Sequence, residues 1–219
     1  MSTNKPSAFD RLPREEVIKA VERRFPRRVP LAMAHWWGEG LHEQYGARLQ
    51  EFGRYPEDVR FIGIPKFDVG AMGLSWSWGR TGGHDSGGVL DDWSHLDEFI
   101  AKLPDPAQDS RWDELAVQAE AAHREDVYLI VGWWGLFFET PWGLRGMQNL
   151  MTDYYEFPEQ VHRLHAALSD LYCRSIRQAA QTMRPDGFWT SDDLGHQTQS
   201  MMRAETFDAL LLPYYRQIG

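Results

Sequence analysis

Residues 127–135, VYLIVGWWG, carry the clearest structural signal in this chain. Val127–Val131 is continuous, rich in β-branched residues and apolar throughout, the pattern of a strand covered on both faces. It runs out into Gly132-Trp133-Trp134-Gly135. A strand of this kind belongs to a parallel sheet, because crossover helices then cover both of its faces. Downstream, Val161, Leu164, Leu168, Leu171, Tyr172, Ile176, Ala179 and Met183 fall on one helical face, and Pro158 suits the first turn. Pro185-Asp186-Gly187 then turns into a strand, Phe188–Ser191, ending at Asp192-Asp193-Leu194-Gly195. A last helix, about Ala204 to Ile218, is interrupted by Pro213.

Upstream, Trp112, Leu115, Ala116, Ala119 and Ala122 have helical spacing, and Val59–Ile64 reads as a weaker strand. Val29–Ala34 reads as a short buried strand ending in His35-Trp36-Trp37-Gly38. Residues 15–25 form a helix with Val17, Ile18, Val21 and Phe25 on one face, stopped by Pro26. Residues 1–14 read as a loose tail, and 15–219 as the N-terminal part of a single domain. The Gly-, Pro- and Asp-rich stretch 65–111 is a functional loop region with small elements of its own.

The chain has 219 residues, 42% hydrophobic and 25% charged, with a net charge of −9. That balance argues against a nucleic-acid binder, which needs a basic face. One cysteine, Cys173, excludes a disulfide framework within these residues and reads as a buried free thiol. No apolar run is long enough to span a membrane and no signal peptide opens the chain, so a cytoplasmic protein is expected. The Gly-rich loop with His84 makes no phosphate-binding spacing. His162 and His165, three apart on a helix, read as helix-face residues.

Function in parallel α/β folds gathers at the carboxyl ends of strands. Here those ends carry His35-Trp36-Trp37, Trp133-Trp134 with Glu139, and Asp192-Asp193 followed by His196 and Gln197. Glu139, Asp192, Asp193 and His35 are therefore the candidate catalytic groups. Trp36, Trp37, Trp133, Trp134, Arg145, His196 and Gln197 are the candidate substrate-binding groups. A carboxyl between indoles has a raised pKa, which suits proton transfer near neutrality. Arg145 is a planar partner for a substrate carboxylate or phosphate. Single residues also have structural uses: an aspartate at a strand end can cap a turn, and tryptophans can be core.

Gly135-Leu136-Phe137-Phe138-Glu139 with Leu144-Arg145-Gly146, then Pro158-Glu159-Gln160-Val161, Asp186-Gly187, Asp192 to Gln197 and Pro213-Tyr214-Tyr215, resembles the uroporphyrinogen decarboxylase family. That family includes the related cobamide-dependent methyltransferases. Arg27 to Leu31 and Asp91-Asp92-Trp93 with Leu96 are similar to the methyltransferase-like branch. The resemblance implies a (β/α)8 TIM barrel with its pocket at the strand ends, present here as roughly its first four βα units. It also implies a decarboxylase-like or methyltransferase-like enzyme for a small substrate. In the decarboxylase an Arg-rich signature follows the first strand; here Ala34 to Gly40 contains no Arg, and Asp68 is the nearest match to the catalytic aspartate. The methyltransferase branch implies zinc and a corrinoid protein partner, with the zinc ligands in a C-terminal half beyond Gly219 and no metal site in this segment. Half a barrel would expose sheet edges and is expected to dimerise or aggregate. An authentic uroporphyrinogen decarboxylase and a non-catalytic barrel binding protein are the alternatives.

Overall fold

The computed structural model describes residues 10–32, 41–46, 48–49, 51, 55–78 and 88–219. In chain order the elements are α1 (Arg14–Val21), α2 (Leu41–Tyr45), β1 (Val59–Gly63), α3 (Leu96–Ala101), α4 (Arg111–Arg124), β2 (Tyr128–Trp134), α5 (Glu139–Arg145), α6 (Met147–Glu156), α7 (Pro158–Met183), β3 (Gly187–Ser191), α8 (Ala204–Leu210) and α9 (Leu212–Ile218). The strands form one open three-stranded sheet in the order β1-β2-β3. β1 pairs with β2 in parallel, Val59 opposite Tyr128 through Gly63 opposite Gly132. β3 also runs parallel to β2: Asp186 N–H bonds the Leu129 carbonyl, and Gly135 N–H, further along, bonds that of Ser191.

This corrects the expected fold. Four βα units of a (β/α)8 barrel are not formed by the described residues, which make an open sheet of three parallel strands. The missing strand is the run from Val29. Among its described residues, 29–32, only Ala32 makes a bridge, to Val59. Pro30 has no N–H to give, and Leu31 spends its N–H on the Asp58 carboxylate at 2.7 Å and its carbonyl on the Asp58 N–H at 3.0 Å. Val29 is 79% exposed, so the described part of the stretch, 29–32, is no buried strand.

The chain divides into two compact units. The first is drawn from Met1–Gly63, Asp113–Gly132 and Thr182–Phe188. Its core packs Leu12, Val17, Val59 and Tyr128 with Ile18, Phe61 and Ile130. Asp58, fully buried, ties this unit together by accepting from Leu12 N at 2.7 Å and from the Arg28 guanidinium at 2.9 Å. Asp186 plays a similar part: it accepts from Leu129 N at 2.8 Å and from Arg14 Nε at 2.6 Å. α1 ends earlier than its apolar spacing predicts. Arg23 and Phe25 take left-handed backbone (φ 59° and 52°), and Phe25 is left 95% exposed.

The second unit is drawn from Ile64–Trp112, Trp133–Gln181 and Trp189–Gly219. Here the helical pattern from Pro158 is realised as α7, whose buried face carries Val161, Leu164, Leu168 and Tyr172. Phe137 lies at the centre of an aromatic cluster, with ring centroids 5.7 Å from Tyr172, Tyr214 and His165 and 5.1 Å from Tyr215. The last helical stretch is two helices: α8 stops at Leu210, and Pro213 sits in the first turn of α9. Cys173 is half-buried rather than buried, its Sγ 3.6 Å from the Gln217 carbonyl. No helix among the described residues is long and apolar enough to cross a membrane.

Candidate functional site

The second unit brings together the end of β2, the start of α5, the residue after β3 and the segment that follows β1. β2 extends through both tryptophans, so strand alternation sends them to opposite faces. Trp133 is buried, with its ring 5.3 Å from Tyr172; Trp134 is 61% exposed and meets Trp189 edge-on at 4.7 Å. The pair therefore contributes one wall of a cavity, not two.

Gly135 follows with φ 76°, a left-handed conformation that turns the chain from β2 toward α5. A Cβ at Gly135 would lie 3.1 Å from the Glu139 Cβ, 3.3 Å from the Lys66 amine and 3.4 Å from Thr140 Oγ1. These three side chains thus crowd around one small residue. Asp192, just past β3, accepts from Phe137 N at 2.7 Å, Phe138 N at 2.8 Å and Glu139 N at 2.7 Å, and also from the Tyr215 hydroxyl. Its carboxylate satisfies the free N–H groups that open α5. That arrangement is a structural anchor, and it aims Glu139.

Glu139 is the acid left with spare capacity. It is half-buried, and its Oε2 has no hydrogen-bond partner among the described residues. Burial raises its pKa above the usual carboxylate range, and the charge of Asp192 adds to that; the Asp193 N–H and Lys66 pull the other way. Lys66 follows β1 in Pro65-Lys66-Phe67. Its amine donates to the Trp134 carbonyl at 2.6 Å and to Thr140 Oγ1 at 2.9 Å. Burial holds that amine below the usual lysine range, although Asp192 and Glu139 oppose the shift. An acid displaced upward close to an amine displaced downward brings the two groups' proton affinities toward each other, the direction that favours proton transfer.

Lys66 and Trp133 also line a cavity of about 370 Å³, together with Tyr172, Asp68, Lys102 and Arg111. The other two cations of this wall are occupied. Arg111 holds Asp109 at 2.6 Å, and Lys102 holds Glu98 at 2.7 Å; Lys102 and Ser75 together pull the Glu98 carboxyl down to about 2.

The remaining sequence candidates are placed elsewhere. His35, Trp36, Trp37 and His84 lie outside the described residues. Arg145 is 4% exposed, and its guanidinium makes a two-pronged pair with Asp153 at 2.7 and 3.1 Å. Its ring-facing side lies 4.1 Å from the Trp93 centroid. Asp193 is exposed and offers its backbone N–H to Glu139. His196 and Gln197 are exposed in a tight turn closed by the Gly195–Ser200 bridge. His162 bonds the Tyr214 hydroxyl and His165 the Leu210 carbonyl, each at 2.9 Å. Among the described residues no group of three His, Cys, Asp or Glu side chains could hold a metal ion, so zinc finds no ligand set here.

Sequence reading missed Lys66, Thr140 and Tyr215. Lys66 had a usable signal: it stands just past a strand end, as the other candidates do. Compared with models of known protein families and with curated proteins, the chain matches none.

Proposed function

We propose that this chain carries the reaction cavity of a cytoplasmic small-molecule enzyme of the decarboxylase-like or methyltransferase-like kind that its motif order resembles. Lys66 and Glu139 are its proton-handling groups, and Trp133 and Tyr172 are its aromatic wall. The observation that carries this reading is a cavity-lining lysine with no carboxylate partner among the described residues, beside a glutamate with an unpartnered oxygen. A volume of about 370 Å³ suits a single ring or a small acid. Glu139, whose carboxyl is displaced upward by burial, donates a proton as charge develops on the substrate; Lys66 accepts one or stabilises an anion.

The test is turnover of a methoxylated aromatic acid, scored as methyl transfer to added cob(I)alamin, and of uroporphyrinogen, scored as coproporphyrinogen. Lys66→Met and Glu139→Gln are each expected to slow the active reaction by about 100-fold or more. Full turnover in both variants would sink the reading.

A non-catalytic binding protein is the second reading. It is favoured by Asp192, whose carboxylate is engaged by backbone N–H groups and a tyrosine. It predicts ligand binding without turnover, unchanged by Glu139→Gln.

A further inference from the structure

The hydrogen bonds around Lys66 place two of its N–H groups. The Trp134 carbonyl can only accept, so it takes one N–H at 2.6 Å. Thr140 has a single hydroxyl proton, and it is directed to the Gly135 carbonyl at 3.2 Å. Its oxygen therefore accepts from Lys66, at 2.9 Å, and takes a second N–H. A neutral amine has two N–H bonds and one lone pair; an ammonium has a third N–H to place. Among the described residues two acceptors meet the amine, and no carboxylate lies within ion-pairing distance of it. The other described lysines sit on carboxylates: Lys19 on Glu16 and Lys102 on Glu98, each at 2.7 Å.

From this geometry we infer that Lys66 is a nucleophile that forms an imine with a small aromatic aldehyde or ketone bound in the cavity beside Trp133 and Tyr172. The inference rests on the reading of that cavity as a substrate site and gives the substrate its reactive group. The amine lone pair attacks the carbonyl carbon, forming the C–N bond while the C=O π pair moves to oxygen. Both amine protons then leave with that oxygen as water, and the C=N bond forms. No oxidant, reductant or metal is required. Protonating the departing hydroxyl calls for an acid, and Glu139 borders the same side of Gly135 as the amine. Burial that favours the uncharged amine acts in the same direction.

The chain has four lysines, Lys5, Lys19, Lys66 and Lys102, so the experiment carries its own controls. The protein is incubated with benzaldehyde, reduced with borohydride, digested and mapped by mass spectrometry for the benzyl increment. Lys66 is expected to be labelled about ten-fold or more faster than Lys19 and Lys102, with saturation in benzaldehyde. Lys66→Arg keeps N–H donors but has no nucleophilic amine and is expected to abolish that fast phase, with circular dichroism reporting that the variant folds. Equal labelling of all lysines, or an unlabelled Lys66, overturns the proposal. Benzyl alcohol, which has the ring but no carbonyl, is followed by saturation-transfer NMR in parallel. If benzyl alcohol binds while Lys66 stays unlabelled, the imine is refuted and the cavity reading stands. If neither occurs, the cavity reading falls with it.

Discussion

Replacing Arg145 by methionine tests whether this arginine belongs to the fold or to a substrate. In the structure its guanidinium meets Asp153 through Nε at 2.7 Å and Nη2 at 3.1 Å, with Nη1 on the Leu90 carbonyl. Asp153, 2% exposed, has one further donor, Trp93 Nε1 at 3.1 Å. Methionine fills most of the arginine volume but leaves the carboxylate buried with only the indole N–H. An uncompensated charge of that kind costs about 3–5 kcal/mol. With a urea slope of about 2 kcal/mol/M, the unfolding midpoint should fall by about 2 M. Removing both charges, in Arg145→Met with Asp153→Leu, leaves only the Leu90 carbonyl and the Trp93 N–H without partners, about 1 kcal/mol each. The double variant should therefore be more stable than the single one, by about 1–3 kcal/mol. Urea unfolding followed by far-UV circular dichroism gives all three midpoints. A single variant within about 1 kcal/mol of the parent, or a double variant less stable than the single, would refute the buried-pair reasoning.

Asp192→Ala strands three backbone N–H groups and the Tyr215 hydroxyl, and should cost about 3–4 kcal/mol; Asp192→Asn, which keeps one accepting oxygen, should cost about 1–2 kcal/mol. Thermal unfolding checks the order, and an alanine variant as stable as the parent would refute the anchor. Gly88→Ala would place a Cβ 1.9 Å from the Leu144 carbonyl oxygen, beside the Leu90 N–H bond to the same oxygen, so a loss of about 3 kcal/mol is expected in the same assay. His165 is fully buried, and desolvation pushes its pKa down to about 4 against the bond to the Leu210 carbonyl. The unfolded chain takes up this proton from about pH 6.5 and the folded chain only near 4, so stability is fully present above 6.5 and drains away as pH falls through that window. His165→Gln should flatten that slope in pH-dependent unfolding, and an imidazole NMR titration of the parent near pH 6.5 would contradict it.

What the sequence made legible follows from how local each signal is. α7 could be read because its apolar spacing repeats over 26 residues, and one face of that length has few alternatives to burial. β2 could be read because five consecutive apolar residues leave no solvent face. The same logic misled at α1, where Val21 and Phe25 continue the helical spacing into solvent. Two left-handed residues end the helix there, and arginine and phenylalanine carry no sign of that conformation. The run from Val29 resembles a strand in composition, but its pairing is pre-empted by Asp58, a side chain 27 residues from Leu31.

The candidate site divides along the same line. Glu139 and Asp192 were found from strand ends, yet nothing local says which of the two acids stays available. That is decided when three N–H groups at the start of α5 converge on Asp192, across more than 50 residues of chain. Lys66 is the sharper case. A lone lysine after a strand is an ordinary surface residue until Trp134 and Thr140 supply its acceptors from 68 and 74 residues away. Its reactivity is thus a property of hydrogen-bond counting in the folded chain. Removing the Thr140 acceptor should alter the amine more than changing any residue next to it in sequence.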